Sequence, residues 1–198
     1  MLSICKLNSA MKLEELFSLP LQQIDYDWFG ERMTPAPQFV VAVDPSTLYF
    51  AAFVHSSAWF DPASKKDDFI EGLWNKDVAE IFITNSGSPE YQEFNLSPSG
   101  AWWSCFFAKH RKREPSKFKM PTNVETYCEV ANSSWKVAMS IPISELSLPI
   151  SLEDSTRINV TFALGKTKRQ YLTWANIDSP EPDFHRADQF EDADLVEL

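Results

Sequence analysis

The chain has few glycines and few cysteines, and each shortage narrows the range of functions. Five glycines among 198 residues leave little room for a glycine-rich phosphate loop, and no segment matches one. The three cysteines, Cys5, Cys105 and Cys128, lack metal-ligand spacing and leave one thiol over if two of them pair, which favours a reducing compartment. No nucleophile elbow and no His-Glu-x-x-His motif is present. The sequence therefore offers no motif for the enzyme classes that rely on these devices.

Long apolar runs and an excess of positive charge are also missing. No stretch approaches the roughly 20 apolar residues of a membrane-spanning helix. The first residues, 1–11, lack the sustained apolar segment of a signal peptide and lead directly into Lys12, Glu14 and Glu15, so we expect a cytoplasmic protein. A net charge of -10 argues against nucleic acid or an anionic membrane as a partner.

Aromatic and β-branched residues are abundant, and they alternate with polar residues at a period of two. Hydrophobic residues make up 44% of the chain and aromatic residues 14%, enough for a sizeable core in one domain over residues 1–198. Residues 39–43 and 48–54 are rich in Val, Phe and Tyr, and the alternation, interrupted by turn signals, is clearest over residues 124–130, 135–141 and 157–164. This pattern predicts an all-β fold, an antiparallel β-sandwich. Short helical turns are predicted at 12–17 and 143–146, and residues 1–35 are expected to pack on the sandwich as an N-terminal extension.

The central hairpin places carboxylates in an apolar setting. Residues 78–84 and 91–97 are joined by a six-residue loop, a length compatible with a hairpin. If Thr84 faces Tyr91, then Glu80 faces Asn95, and Glu80, Glu93 and Asn95 share one face of the sheet. A carboxylate buried among apolar neighbours is costly unless a partner satisfies it. This register therefore predicts a polar patch that serves either the structure or a ligand.

Four segments in order resemble family 9 carbohydrate-binding modules and their DOMON-like relatives. Leu73–Phe82 is similar to the signature Trp-x-x-Asp-x-x-Glu-Ile-Phe, and 91–102 is similar to the segment that follows it. The Ile-Pro-x-x-x-Leu turn matches 141–146, and the closing Trp…Phe-His segment matches 171–190, with Ala187 where the family has proline. The resemblance covers residues 36–198.

The resemblance implies a β-sandwich that binds a sugar or the end of an oligosaccharide without catalysis. The site residues that it implies are two tryptophans that clamp the ring and polar groups that read its hydroxyls: Trp74, Trp174, Glu80, Glu93, Asn95 and Asn176. Trp102 and His185 are secondary candidates. A pyranose offers an apolar face to aromatic rings, and carboxylates form charge-assisted hydrogen bonds with hydroxyls. No cofactor is implied apart from calcium in a structural role.

Other interpretations of the same residues stay open. A Trp-lined face also suits a protein partner. Glu80 with Asp77 or Glu93 resembles the carboxylate pair of a glycosidase, and some DOMON-like relatives bind haem. The basic segment Lys109–Arg113, with Lys117 and Lys119, is either a solvated hairpin tip or a contact for phosphate, for instance on a sugar phosphate.

Overall fold

The computed structural model describes residues 1–151 and 155–198. Thirteen strands are present in these residues: β1 Leu2–Lys6, β2 Gln22–Gln23, β3 Gln38–Val43, β4 Thr47–Val54, β5 Val78–Asn85, β6 Tyr91–Leu96, β7 Trp102–Lys109, β8 Lys112–Arg113, β9 Glu125–Ala131, β10 Ser134–Pro142, β11 Thr156–Leu164, β12 Gln170–Thr173 and β13 Glu191–Glu197. The predicted all-β class is confirmed.

The strands form two layers of a sandwich that remain joined along one side. The front layer has the order β8-β7-β6-β5-β11, with β12 also paired to β11, and the back layer has the order β1-β3-β4-β10-β9. Strand β13 connects the layers, since it pairs with β11 through Arg157–Asp192 and Ile158–Glu191 and runs parallel to β1. Most pairs are antiparallel, as alternation with short turns predicts, while β1 is parallel to both of its neighbours.

The main core lies between the two layers. Every second residue of each central strand points into it, including Ile81 and Ile83 of β5 and Phe50 and Ala52 of β4, all with no exposed area. Burial of this apolar surface is the dominant favourable contribution to folding.

The N-terminal segment is part of the sandwich as well as packing on it. Leu2 and Ile4 are fully buried in the main core because β1 lies between β13 and β3. A 3-10 turn, Leu13–Ser18, then covers the outer face of the back layer with Leu13 and Leu16. Residues 1–35 thus supply both an internal strand and an apolar cover.

Four 3-10 turns occur in the described residues: Leu13–Ser18, Leu73–Asn75, Ile143–Glu145 and Ala187–Gln189. The first and third confirm the helical turns predicted at 12–17 and 143–146. Among the described residues no helix has the length and apolar character needed to span a membrane.

Candidate functional site

The β5–β6 hairpin has the register that the sequence predicts. Thr84 pairs with Tyr91, Phe82 with Glu93, and Glu80 with Asn95. Side chains opposite one another in a ladder project to the same face, so Glu80, Glu93 and Asn95 lie on the outer face of the front layer. On the neighbouring strands, Thr161 of β11 pairs with Glu80, and Trp103 of β7 pairs with Asn95. These two side chains therefore lie on the same face.

Above this face is a cavity of about 440 Å³. It is lined by Trp74, Asn75, Glu80, Phe82, Glu93, Trp103, Phe107, Arg111, Arg113, Ala163, Tyr171, Pro182, Phe184 and His185. The strand order places β5 and β6, with their carboxylates, between β7 on one side and β11 and β12 on the other. The cavity therefore has an acidic floor with aromatic side chains on both flanks.

Glu80 and Glu93 are nearly buried, with 3% and 4% of their surface exposed. The Oε2 atom of Glu80 accepts a hydrogen bond of 2.7 Å from the Thr161 hydroxyl. Burial raises the pKa of Glu80 to about 7. Burial, and then the charge of Glu80, raises the pKa of Glu93 to about 8. Both pKa values are raised towards neutral pH, which favours the protonated carboxyl form, and that form can donate as well as accept hydrogen bonds.

The polar groups around Glu93 leave it largely unsatisfied. In the described residues no donor meets hydrogen-bond geometry to its carboxylate, and the neighbouring Asn95 amide offsets only part of the rise in its pKa. Asn95 is itself fully buried, and neither its Oδ1 nor its Nδ2 has a partner of ordinary geometry in those residues. Buried polar groups are rarely left unpaired in folded proteins, so Glu93, which lines the cavity, is suited to an external partner, whereas Asn95 lies beneath the cavity and outside its lining.

The aromatic side chains at one flank form a cluster with an arginine. Trp74 packs edge-on against Trp103, with ring centroids 5.0 Å apart. The guanidinium carbon of Arg113 lies 4.8 Å from the Trp103 centroid and 5.7 Å from the Trp74 centroid, and Arg113 also pairs with Glu71. These contacts fix the two rings at the edge of the cavity.

The structure does not bring Trp174 to this cavity. Its ring packs edge-on against Phe39, 5.3 Å between centroids, as a half-buried neighbour of the main core. Alternation along β12 explains the placement, because Tyr171 pairs with Ala163 on the cavity face, whereas Leu172 points into the core. Trp174 lies two residues after Leu172 and therefore points to the same side, towards the core. Tyr171 points to the opposite side and lines the cavity.

Asn176 and Trp102 also lie outside the cavity lining. Asn176 is exposed in the loop after β12. Trp102 is buried in the main core, edge-on to Phe69. Successive strand residues alternate between faces, so Trp102 and Trp103 separate into core and cavity as expected.

His185 lines the cavity as a neutral imidazole. Its Nδ1 lies 2.8 Å from the Tyr91 hydroxyl, which also accepts a 3.1 Å hydrogen bond from the backbone N–H of Arg111. If the Tyr91 hydroxyl donates to Nδ1, the Nε2 of His185 is the N–H donor. Burial, and then the charge of Arg111, lowers the pKa of His185 to about 4, so the ring is neutral near pH 7.

The basic segment Lys109–Arg113 divides between solvent and the cavity. Lys109 and Lys112 are exposed at the β7–β8 turn, as a solvated hairpin tip predicts. Arg111 and Arg113 line the cavity, and Arg111 forms an ion pair of 2.8 Å with Asp183. The sequence did not predict that Arg111 and Arg113 line the cavity. The alternating apolar pattern stops at Ala108, so it does not indicate which side chains of the turn point towards the cavity.

A structural calcium ion, which the resemblance implies, stays a prediction. Across residues 1–151 and 155–198, no group of three or more His, Cys, Asp or Glu side chains is placed to hold a metal ion. Asp67, in the loop beside β9, uses its Oδ1 to accept from the backbone N–H and the hydroxyl of Thr126, at 2.8 and 2.9 Å. We therefore derive no role for calcium.

Comparison with known families gives a match that covers almost the whole chain. The model of carbohydrate-binding family 9 matches residues 6–195. Among curated proteins, none matches the chain significantly by sequence.

Solved structures share this fold at low sequence identity. A proposed carbohydrate-binding protein from Bacteroides uniformis ATCC 8492 is 18% identical, with a TM-score of 0.71 and 98% of both chains covered. A family 9 carbohydrate-binding module from Caldicellulosiruptor kristjanssonii in complex with glucose is 12% identical, with a TM-score of 0.62 over 99% of this chain and 96% of that one. A family 9 module from the same organism, in complex with cellotriose, is 10% identical, with a TM-score of 0.63 over 100% and 94%.

Proposed function

The chain belongs to carbohydrate-binding family 9, and from this premise we propose that its front-layer cavity binds the end of a neutral oligosaccharide without catalysing a reaction. The observation that carries the proposal is the pair Glu80 and Glu93, buried on the cavity floor with fewer protein partners than two carboxyl groups need. The structural neighbours in complex with glucose and cellotriose support the same class of ligand.

The carboxyl pair suits sugar hydroxyls because it offers donors and acceptors together. A protonated carboxyl group donates a hydrogen bond and an ionised one accepts, and the raised pKa values of both groups favour the protonated form near neutral pH. A vicinal diol presents the complementary arrangement, each hydroxyl being both donor and acceptor. Arg111, Arg113 and the Nε2 of His185 supply further donors at the edge of the cavity.

The aromatic flanks suit the apolar face of a pyranose. In this proposal the sugar ring lies between Trp74, on the flank next to β7, and Tyr171 with Phe184, on the flank next to β12. This arrangement replaces the Trp74 and Trp174 clamp that the resemblance implies, because Trp174 packs against Phe39. Affinity is expected to be modest, since the sugar exchanges hydrogen bonds with water for those with protein.

A neutral ligand follows from the charges that face the cavity. The two buried carboxyl groups disfavour an anionic sugar next to them, and both rim arginines are already paired, Arg111 with Asp183 and Arg113 with Glu71. A sugar phosphate would have to displace one of these acidic partners.

Titration calorimetry with glucose and cellotriose, preceded by a glycan array, tests the proposal. We expect binding to the native chain and a loss of about tenfold or more in Glu80→Gln, which removes a charge-assisted hydrogen bond. Glu125→Gln, an exposed change on β9, is the matched control and should bind as the native chain does. No binding to any arrayed glycan, to glucose or to cellotriose would overturn the proposal.

A further inference from the structure

Arg169 connects the two flanks of the cavity, although its side chain is not part of the cavity lining. It lies in the loop between β11 and β12, two residues before Tyr171, which lines one flank. Its guanidinium reaches the backbone of Trp74, which lines the other flank. We call residues 73–76, the 3-10 turn Leu73–Asn75 with the residue that follows it, the Trp74 turn. One side chain therefore bridges the two segments whose rings are proposed to hold the sugar.

The guanidinium of Arg169 binds the carbonyl end of the Trp74 turn. Its Nη2 donates to the Trp74 carbonyl at 2.8 Å and also to the carbonyl of Lys76. A longer 3-10 turn would bring the backbone N–H of Asp77 to the Trp74 carbonyl, but that N–H donates instead to the Trp59 carbonyl at 2.8 Å. Carbonyl groups at the end of a turn need external donors. Arg169 therefore fixes the backbone from which the Trp74 ring projects.

The guanidinium is itself held in one orientation. Its Nη1 lies 3.7 Å from the carboxylate of Asp77, which is 1% exposed, and donates to the Gly165 carbonyl at 3.3 Å. The Asp77 carboxylate also accepts hydrogen bonds of 2.7 Å from the backbone N–H groups of Gly165 and Trp59. The guanidinium carbon lies 5.6 Å from the centroid of the Trp59 ring. This set of contacts requires the planar fork of arginine, because the ammonium of lysine is a compact point charge.

The charge of Arg169 also acts on the floor of the cavity. Burial raises the pKa of Glu80, whereas the hydrogen bond from Thr161 and then the charge of Arg169 act to lower it. Two routes thus lead from Arg169 to a bound sugar, one through the position of Trp74 and one through the charge of Glu80. The direct hydrogen bond to the Trp74 backbone favours the first route.

We propose that Arg169 is a positioning residue for sugar binding, which sets the separation of Trp74 and Tyr171 by tying the Trp74 turn to the loop before β12. The inference rests on the proposed function, because this separation matters only if a sugar lies between the rings. Dispersion attraction falls steeply with distance, so that a gap of roughly 0.5–1 Å already removes a quarter to a half of a contact's energy. A small shift of the Trp74 turn is therefore enough to weaken stacking on the sugar.

A double-mutant cycle between Arg169 and Trp74 tests the inference, with glucose affinity measured by titration calorimetry. Arg169→Ala should weaken binding by about 5–10-fold, close to the loss expected for Trp74→Ala. In the Trp74→Ala background the same change should weaken binding by less than about twofold, because residues that act through one another are not additive. Arg169→Lys keeps the charge but not the planar fork, and it should lose about threefold. Lys168→Ala removes an exposed cation paired with Glu31 in the same loop, and this matched control should bind as the native chain does.

The outcomes separate positioning from stability alone. If Arg169 only stabilises the fold, Arg169→Ala lowers the melting temperature while the folded protein keeps its native glucose affinity, and the inference is overturned. A loss of the same size in the Trp74→Ala background, or native affinity in Arg169→Lys, overturns it as well, since the effect then takes another route. In these cases the cavity assignment stands, whereas a native chain that binds neither glucose nor cellotriose ends both. If Arg169→Ala does not fold, the same cycle is run with Arg169→Lys.

Discussion

The outer faces of the two layers handle buried carboxylates in opposite ways. On the back layer, Asp44 is 4% exposed and accepts hydrogen bonds from the backbone N–H groups of Ser46 and Thr47 and from the Tyr49 hydroxyl, at 2.7, 2.8 and 2.7 Å. On the front layer, Glu93 is also 4% exposed, and the neighbouring Asn95 side chain lowers its pKa by less than burial and the charge of Glu80 raise it. Equally buried carboxylates are thus well satisfied by the protein on one layer and poorly satisfied on the other.

The pKa values record the same difference. Burial alone would raise the pKa of Asp44, but its hydrogen bonds from Ser46, Tyr49 and Thr47 outweigh burial and hold that pKa below the usual range. For Glu93, burial and the nearby Glu80 both act upward, to about 8. A carboxylate with a structural role is satisfied by its own chain, whereas one that serves a ligand remains destabilising until the ligand arrives.

The largest effect is expected on the back layer. Asp44→Ala removes the acceptor of four donors and should lower the free energy of unfolding by about 3 kcal/mol, since each buried donor left unpaired costs about 1–3 kcal/mol. Urea denaturation measures the loss. Asp44→Asn, which keeps one side-chain oxygen, should lose less. Sugar affinity of the folded fraction should be unchanged, and a loss of both stability and affinity would break the division between the faces.

The two tryptophans of the predicted clamp should respond differently. Trp174→Ala removes an edge-on contact with Phe39 next to the main core, and we expect a loss of about 2 kcal/mol in stability, less than for a fully buried aromatic. Trp74→Ala, at the cavity, should weaken glucose binding by about tenfold with a smaller loss of stability. Calorimetry and thermal unfolding of both variants separate the two roles. A loss of glucose binding in Trp174→Ala at unchanged stability would restore the original clamp.

The raised pKa of Glu93 should make the stability of the protein depend on pH. The native pKa of Glu93, about 8, exceeds its ordinary value of 4.5, so the native state binds more protons than the unfolded state between these values. Stability is therefore highest below about pH 5 for this group and is lost as pH rises through 8. Glu93→Gln should reduce this loss of stability. At pH 9 its free energy of unfolding should exceed that of the native chain by about 1–2 kcal/mol.

Urea denaturation of both proteins at pH 5, 7 and 9 provides the measurement. The same variant should weaken sugar binding, so stability and affinity change in opposite directions. Parallel stability curves for the native chain and Glu93→Gln would show that the carboxylate is satisfied by the protein.

The smallest effect is expected from the exposed lysines of the basic segment. Lys112 and Lys119 project into solvent and lie outside the cavity lining. Lys112→Ala and Lys119→Ala should each change cellotriose affinity by less than about twofold, since exposed charges contribute little. Calorimetry at low and high salt checks this. A large, salt-dependent loss would favour the alternative of a phosphate-bearing ligand.

The sequence allowed the fold and the floor of the site to be predicted, because both follow from a period of two. The Glu80–Asn95 register depends only on alternation and on the length of the loop between the strands, and it is confirmed. The residues that form the flanks of the cavity depend on how separate loops come together in space. The alternation of apolar and polar residues carries no information about this. Tyr171 is the one flank residue that alternation could have assigned. Because it precedes Leu172, which points into the core, alternation places Tyr171 on the cavity face and Trp174 on the core face.

A crystal structure of the chain with cellotriose tests the central claim most directly. We expect the terminal sugar in the front-layer cavity, with hydroxyls within about 3 Å of both Glu80 and Glu93, and with its ring next to Trp74. A sugar bound elsewhere, or a cavity occupied without a contact to either carboxyl group, would contradict the account.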